Sequence, residues 1–327
     1  MRRVLCAEYG PPSSLKVVDE PDLVAAPGHI VVDIAAAGVD YVDALIIAGQ
    51  YQIKLALPFT PGTELAGTVS SVGEGVTEFA VGDRVLATNW AGFASQAALN
   101  LGPDRAINEA VTKIPDSLDF DRAAALTQSY CTMWFAFTQR MQLRPEHRLL
   151  VLGAGGGIGL AAIDIARSMG VTTIVAAAST DEKLAAARAE GATHTINYTT
   201  EDLKARAKEI GVDVVVDPIG GELAEAALRA SGWMSTYIVI GFASGGIPRL
   251  PANLVLLNNR TVVGVDWGAW SGADPAAQAA VLAEVLAEVA DGRLNPQAPH
   301  RVPLDQTADV LQAALDRELV GKTVLIP

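Results

Sequence analysis

The residues most able to do chemistry surround a glycine-rich segment in the middle of the chain. An apolar strand over Leu149–Leu152 leads into Gly153–Gly159, where five of seven residues are glycine, and a helix follows from about Leu160. Such glycines let backbone N–H groups approach a pyrophosphate at the positive end of a helix. Since strand, helix and next strand are spaced as one βαβ unit, the segment predicts a dinucleotide site rather than a tight turn without a ligand. The candidate contacts are Ala154, Gly155, Gly156, Gly157, Ile158 and Gly159.

The end of the following strand indicates which dinucleotide binds. An NAD enzyme presents Asp or Glu to the ribose 2′-hydroxyl about twenty residues after the glycines. Here Ala178-Ser179-Thr180 occupies that place, and Lys183 follows one turn later. Small hydroxyls and a cation suit a 2′-phosphate, so Ser179, Thr180 and Lys183 favour NADPH. The structural alternatives are a solvated helix face for Lys183 and a helix N-cap for Asp181.

Metal chemistry is not expected from the histidines and cysteines. A catalytic zinc needs three protein ligands, usually His, Cys or Glu. None of the four histidines (His29, His147, His194 and His300) is paired with another His or with a Cys at ligand spacing. The sequence also contains no Gly-x-Ser-x-Gly elbow and no P-loop lysine pattern, which argues against the commonest hydrolase and kinase chemistries.

Composition restricts the partners and the compartment. The 37 acidic residues exceed the 24 basic ones by 13, so nucleic acid is not an expected partner. The longest apolar stretch, Leu149–Ile163, contains five glycines and stops at Asp164, so no membrane segment is predicted. Two cysteines, Cys6 and Cys131, cannot build a disulfide scaffold, and we therefore expect a cytoplasmic protein.

The elements that carry these residues change character along the chain. At 327 residues the chain has room for about two domains. Up to about residue 120, short apolar runs broken by Gly and Pro predict a compact, barrel-like β domain, with one helix near Tyr41 to Ala48. Ala123 to Met141 is Ala-rich and helical, and strands then alternate with helices to about residue 265, which predicts a parallel doubly wound sheet. The strands predicted there are Leu149–Leu152, Thr173–Ala178, Val212–Val216, Tyr237–Ile240 and Val262–Val265, followed by a helix from Pro275 to about Ala290 and a last strand over Thr323–Ile326.

Several segments in order along nearly the whole chain carry a family resemblance. They are Ala36–Asp43, Pro58–Gly67, Val72-Gly73, Gly82–Val85, Ala154–Gly159, Lys183, Ile196–Tyr198, Val216-Asp217, Gly220-Gly221, Ile240-Gly241 and Gly321–Leu325. Together they resemble the zinc-free quinone oxidoreductase (zeta-crystallin-like) branch of the medium-chain dehydrogenases/reductases. Where zinc-containing relatives carry Gly-His-Glu, this chain has Gly62-Thr63-Glu64.

The resemblance implies an α/β fold of two domains. A GroES-like β-barrel domain is expected over 1–122 and 267–327, and a Rossmann domain with a doubly wound parallel sheet over 123–266. The resemblance also implies an NADPH site in the cleft, no zinc, and a homodimer joined through edge strands of the Rossmann domain. The candidate cofactor residues that it adds are Tyr51, Thr132 and Tyr198, and the ends of the later strands add Ile240, Phe242 and Val265.

Two positions near the expected reaction centre are ambiguous. The family usually has Asn where this chain has Asp40, and an ionised carboxylate accepts hydrogen bonds but donates none. Lys322 is interpreted either as a cation near the cofactor phosphates or as part of a turn before the last strand.

The expected activity is hydride transfer from NADPH to a quinone, with Tyr51 and Asp40 as the candidate catalytic residues. Tyr51 is interpreted either as a hydroxyl donor to the acceptor or as a packing residue. Reduction of an enone, a 2-alkenal or an enoyl thioester is an alternative on the same fold. A further alternative is an NADPH-binding protein without turnover, either a sensor or a structural protein.

Overall fold

The computed structural model describes residues 1–102, 105 and 109–327, which fall into two units. The first unit comprises Met1–Gln128, Ser271–Pro275 and Gln297–Pro327, and the second comprises Ser129–Trp270 and Ala276–Pro296. In the described part of the chain, no helix is both long enough and apolar enough to cross a membrane.

The bounds of the regular elements are as follows. The strands are β1 (Arg2–Leu5), β2 (Lys16–Asp19), β3 (His29–Val39), β4 (Glu64–Val72), β5 (Arg84–Thr88), β6 (Gln96–Asn100), β7 (Ala110–Lys113), β8 (Arg148–Leu152), β9 (Thr173–Ala178), β10 (His194–Asn197), β11 (Val214–Asp217), β12 (Thr236–Val239), β13 (Thr261–Gly264), β14 (His300–Pro303) and β15 (Thr323–Ile326). The helices are α1 (Tyr41–Ile47), α2 (Phe120–Ala124), α3 (Thr132–Phe135), α4 (Gly157–Ser168), α5 (Asp181–Glu190), α6 (Leu203–Ile210), α7 (Gly221–Ala230), α8 (Ala252–Leu257), α9 (Trp267–Ala273), α10 (Pro275–Ala290) and α11 (Thr307–Leu315).

The first unit is built on a mainly antiparallel sheet around the long strand β3. The strand order is β14-β15-β3-β4-β5-β7, and β6 also pairs with β3. Only the β14–β15 pair is parallel in this sheet, and β1 and β2 form a separate antiparallel pair. The pairing of β15 with β3 brings the end of the chain next to Val39, directly before α1. The apolar side chains that the sequence pattern placed inside are buried; they include Ile30, Val32, Leu65, Val69 and Leu325.

The second unit is a six-stranded parallel sheet flanked by helices. Its order is β10-β9-β8-β11-β12-β13, with neighbours in register as parallel pairs. The strands β8, β9 and β11 are buried on both faces, which explains their continuous runs of Leu, Val and Ala. The chain order reverses between β8 and β11, so this is where a ligand of such a sheet binds, at the carboxyl ends of the strands. The predicted doubly wound parallel sheet is confirmed.

Two features differ from the sequence-based expectation. The predicted helix over Ala123 to Met141 is interrupted by two π-helical segments, Thr127–Cys131 and Ala136–Arg140. In addition, α10 from Ala276 onwards belongs to the second unit rather than to the domain expected over 267–327. Four of its apolar side chains are buried, and Trp134 Nε1 donates to Glu284 at 2.8 Å, which fixes the helix to this unit.

Candidate functional site

The glycine turn, Gly153–Gly156, connects β8 to α4. Gly153 has φ +60°, a left-handed conformation that favours glycine. Gly156 is the N-cap of α4, and no side chain caps this helix end. The first backbone N–H groups of a helix have no partner within the helix and point toward a ligand at its positive end. The structure therefore places the start of a helix directly after the glycine turn, within the segment Ala154 to Gly159 for which the sequence predicts cofactor contacts.

The room around the glycines differs from one position to the next. A Cβ on Gly159 would lie 2.5 Å from the Gly153 carbonyl oxygen, so this glycine allows α4 to pack against the turn. A Cβ on Gly156 would meet only the Gly153 oxygen, at 3.6 Å. The backbone at Gly156 is thus open to a large group, which fits the approach of a pyrophosphate.

The residues expected at a 2′-phosphate lie beside this turn. A Cβ on Gly155 would be 2.5 Å from Cβ of Lys183, so the lysine side chain begins against the turn backbone. Thr180 is the N-cap of α5, and its Oγ1 accepts from Lys183 N at 3.3 Å. The strand before it ends in Ala178 without a carboxylate, and Asp181 accepts a hydrogen bond from Asn197 Nδ2 at 3.0 Å.

The other candidates of the second unit follow neighbouring strands. Tyr198 comes after β10, and its N–H donates to Ala178 O at 3.2 Å, next to Ser179. Ile240 and Phe242 follow β12, and Val265 follows β13 with its N–H on Val239 O at 3.0 Å. Because carboxyl ends of parallel strands share one edge of the sheet, the structure brings these residues to the same edge as the glycine turn.

Asp217, at the end of β11, orders the loop on that edge. Its Oδ1 accepts from Ile219 N and Gly220 N, both at 2.8 Å, and its Oδ2 accepts from Tyr237 Oη at 2.6 Å. Burial, together with the charge of Asp217, raises the pKa of Tyr237, which keeps that hydroxyl a donor. The side chain of Asp217 therefore supports the loop from within the unit.

Thr132 begins α3 directly after the π-helical segment Thr127–Cys131 and is 9% exposed. A π-helical turn inserts one residue into the helical register and turns the side chains that follow it. The direction of the Thr132 side chain is thus set by an irregularity that the alanine-rich pattern did not predict.

The two candidate catalytic residues of the first unit lie at opposite ends of α1. Asp40 is the N-cap, whereas Tyr51 follows the C-terminal end and donates its N–H to Leu45 O at 3.2 Å. The Tyr51 side chain is half-buried and packs against the apolar core of this unit. This packing agrees with one of the two roles that the sequence leaves open for Tyr51.

Lys322 lies between two carboxylates. Its Nζ donates to Asp40 Oδ1 and to Glu64 Oε1, each at 2.6 Å, and Glu64 Oε2 accepts from Gln128 N at 2.9 Å. The side chains of Lys322, Asp40 and Glu64 are 12%, 14% and 1% exposed. The sequence leaves Lys322 either as a cation near the cofactor phosphates or as part of a turn. The structure adds a third interpretation, in which its ammonium group neutralises buried acids.

A third acid, Asp43, completes the group that we call the carboxylate cluster: Asp40, Asp43, Glu64 and Lys322. Asp43 is fully buried, and its Oδ2 accepts from Asp40 N at 2.8 Å, as the N3 residue of a capping box does. Asp43 also has a side-chain hydrogen bond with Thr63, and within the described residues Asp40 Oδ2 is buried without a hydrogen-bond partner.

The electrostatics of the cluster favour protonated carboxyls. Burial, with repulsion from Asp40, raises the pKa of Asp43 to about 8. Burial also raises the pKa of Glu64 to about 8, although the charge of Lys322 opposes the rise. Burial alone would lower the pKa of Lys322, but the facing carboxylates outweigh it and raise this pKa above its ordinary value.

Sequence reasoning missed Asp43 and Glu64 as site residues. The signal for Asp43 was an acid three residues after a helix N-cap, and the signal for Glu64 was its place in Gly62-Thr63-Glu64. Neither pattern shows that Lys322 donates to Glu64 and to Asp40, the residue whose N–H Asp43 accepts. Among the described residues there is no group of three His, Cys, Asp or Glu side chains arranged to hold a metal ion.

Comparisons with known proteins agree with this geometry. Residues 26–107 match the alcohol dehydrogenase GroES-like domain, and residues 157–284 match the family described as zinc-binding dehydrogenase. Quinone oxidoreductase-like protein 2 homolog of Nematostella vectensis is 36% identical over 333 residues, which cover 99% of this chain and 88% of that protein. The Pseudomonas syringae quinone oxidoreductase structure has a TM-score of 0.88 at 27% identity and covers 100% of this chain and 99% of that one. The Escherichia coli quinone oxidoreductase structure, complexed with NADPH, has a TM-score of 0.87 at 25% identity, with both chains fully covered.

Proposed function

The chain belongs to the quinone oxidoreductase-like branch of the medium-chain dehydrogenase/reductase superfamily, and on that basis we propose that it reduces quinones with NADPH. It is an oxidoreductase with a GroES-like domain and a Rossmann domain. The observation that carries the proposal is Lys183 packed against Gly155, with Ser179 and Thr180 beside it and no carboxylate at the end of β9.

NADPH is the proposed cofactor. The uncapped start of α4 and the open backbone at Gly156 suit the pyrophosphate, while Ser179, Thr180 and Lys183 suit the 2′-phosphate. The Escherichia coli relative is complexed with NADPH, which supports the same choice. Tyr198, Ile240, Phe242 and Val265 follow the strands at this edge, and Thr132 is proposed as a further contact.

The reaction divides between cofactor and protein. When bound, NADPH supplies the hydride, and the protein fixes the geometry and stabilises the charge that develops on the acceptor oxygen. Asp40 and Tyr51 are the proposed polar groups of the first unit. Asp40 is held by Lys322 at 2.6 Å, and it donates to the acceptor oxygen only when its carboxyl carries a proton.

The proposed reaction uses no metal. Thr63 stands where zinc-containing relatives have histidine, and a threonine hydroxyl is a poor zinc ligand. Both oxygens of Glu64 already accept hydrogen bonds, from Lys322 and from Gln128 N. The donor set therefore does not suit a zinc ion at Gly62-Thr63-Glu64.

We also propose a cytoplasmic homodimer. β13 is the last strand of the six-stranded sheet, so one side of it is open in this chain. Apolar side chains surround it and are exposed: Trp233 by 64%, Met234 by 65%, Leu257 by 68% and Val262 by 40%. An unpaired edge strand with exposed apolar side chains around it is a surface that a second copy of the chain can bury by forming a dimer. The sequence has only two cysteines, Cys6 and Cys131, too few for a disulfide scaffold, which fits a reducing compartment.

The test of the activity is consumption of NADPH and NADH by chelator-treated protein, with a simple benzoquinone and a 2-alkenal measured side by side. Faster oxidation of NADPH with the quinone is the expected result. Faster turnover of the alkenal would assign the chain to enone reduction instead. NADPH binding without turnover of either acceptor would favour a sensor or structural protein.

The role of Lys183 has its own prediction. Lys183→Met removes a charge from the proposed 2′-phosphate contact, and hydrogen bonds to charged groups contribute about 1.5–3 kcal/mol. We expect the Kd for NADPH to rise roughly 10- to 100-fold while the Kd for NADH stays unchanged, measured by fluorescence titration. Lys204→Met, on the exposed side of α6, is the control and should change neither constant. Equal weakening of both dinucleotides would contradict the assignment.

A further inference from the structure

The carboxylate cluster carries more acids than its single cation can neutralise. Asp40, Asp43 and Glu64 face one ammonium, that of Lys322, so full ionisation would leave two negative charges in a buried place. Uncompensated buried charge is strongly unfavourable, and carboxyl groups respond by keeping their protons.

The hydrogen bonds lead to the same conclusion. Asp40 Oδ2 is buried and has no partner within the part of the chain that the structure describes. A bare carboxylate oxygen in such a place loses its hydration without replacement. The Thr63 residue is 4% exposed, and the hydrogen bond between its side chain and Asp43 opposes the rise of the Asp43 pKa without cancelling it. A proton on Asp40 Oδ2 would turn this bare oxygen into a donor.

Among the residues that the structure describes, Lys322 is the cation that acts on Asp43 and Glu64. Asp40 and Asp43 lie at the start of α1, Glu64 is the first residue of β4, and Lys322 directly precedes β15. Gln128, in the π-helical segment, donates its N–H to Glu64. On β3, a Cβ at Gly38 would lie 2.4 Å from Glu64 Oε1, so the backbone itself forms the wall there. The charged groups that act on Asp43 and Glu64 are thus Asp40 and Lys322.

We propose that the carboxylate cluster stores a proton at neutral pH and that Asp40 passes this proton to the acceptor after hydride transfer. Asp40 is the outlet because its side chain is 14% exposed, whereas those of Asp43 and Glu64 are closed off. The storage of the proton stands on the cluster alone, and its delivery rests on the proposed function.

The step balances as follows. The hydride carries two electrons to the acceptor, which is left with one additional negative charge, and NADPH becomes NADP⁺. The O–H bond of a cluster carboxyl breaks, and its proton forms a new O–H bond on the acceptor oxygen. The cluster then takes one proton from water. A carboxyl is a better donor here than Lys322, because the two facing carboxylates hold the ammonium proton and raise its pKa.

The storage is tested on the protein without cofactor by infrared spectroscopy. A carbonyl band of a protonated carboxyl should be present at pH 7, disappear as the pH rises through about 8, and be lost or shifted in Asp43→Asn or Glu64→Gln. Asp33→Asn changes an exposed carboxyl of β3 in the same unit and should leave the band intact. Absence of any such band in the wild-type protein at pH 7 would overturn the proposal.

The delivery is tested by the pH profile and the solvent isotope effect of quinone reduction. Asp40→Asn should lower kcat about 100-fold, with unchanged Kd for NADPH, and should remove the decline in rate above pH 8. An unchanged profile in Asp40→Asn, with the infrared band present, would overturn the outlet. A wild-type protein that shows the band but reduces no acceptor would refute the proposed function and leave the proton store standing.

Discussion

Gly38 shows how a single residue controls the carboxylate cluster. It lies on β3, and a Cβ there would be 2.2 Å from Ala124 O and 2.4 Å from Glu64 Oε1. The backbone oxygen cannot withdraw as a flexible side chain would. The absence of a side chain at Gly38 therefore makes the space in which Glu64 meets Lys322.

Replacing Gly38 by alanine should destabilise the protein. Overpacking of this kind typically costs about 1–3 kcal/mol in the free energy of unfolding, measurable by urea denaturation. Gly10→Ala, in the same unit, is the control, because the nearest atom to a Cβ there would be Ser14 Oγ at 3.4 Å, an ordinary contact. A Gly38→Ala protein as stable as wild type would show that Glu64 and the backbone move aside freely.

The titration of Asp43 and Glu64 predicts how stability depends on pH. Their pKa values rise from 3.8 and 4.5 to about 8 on folding, so between these limits the folded state binds more protons than the unfolded chain. The free energy of unfolding therefore falls as pH rises from about 5 to about 8, by at most about 1.4 kcal/mol per pH unit for each proton.

Urea denaturation at pH 5, 6, 7 and 8 measures this slope. Asp43→Asn should show a shallower slope than wild type, while Asp33→Asn should match it. Stability that rises with pH over this window would mean that the cluster is ionised in the folded protein.

At the scale of elements, two glycines near the turn between β8 and α4 have different roles, one in packing and one in the proposed binding of the cofactor. Gly159 is needed for packing, because its Cβ would meet Gly153 O at 2.5 Å, whereas Gly156 has open space beside it. Gly156 also has φ −93°, a conformation that alanine adopts without strain.

The two glycines therefore predict different alanine variants. Gly156→Ala should retain the Tm of the wild-type protein but weaken NADPH binding, since the methyl group enters the space proposed for the pyrophosphate. Gly159→Ala should lower both the Tm and the affinity. Calorimetry without cofactor and a fluorescence titration with NADPH separate the two effects, and an unchanged affinity in Gly156→Ala would place the pyrophosphate elsewhere.

At the scale of the whole molecule, the open edge at β13 predicts self-association. Sedimentation at micromolar concentration should give twice the chain mass of 34.1 kDa. Val262→Lys places a charge on the exposed edge and should shift the protein toward a monomer. Val81→Lys, at a residue 67% exposed in the first unit, is the control and should remain dimeric. A monomeric wild-type protein would refute the homodimer.

The sequence by itself determined the features that depend on local pattern. Continuous apolar runs identified β8 and β9, and the glycines at 153 to 159 located the nucleotide turn. These features depend on backbone conformation and side-chain periodicity over a few residues, which are readable in one dimension. The π-helical segments around Thr132 left no such trace, because an alanine-rich run is compatible with either register.

Only the tertiary structure decided the chemistry of the first unit. Asp40 and Lys322 are 282 positions apart in the chain, and the pairing of β15 with β3 brings them to 2.6 Å. The protonation state of each carboxyl depends on how many acids surround that one ammonium group. Burial and distance decide this number, and residue type alone does not. For the same reason Asp43, which the sequence shows as a helix-capping acid, becomes part of a proton store only when β4 and the chain end close around it.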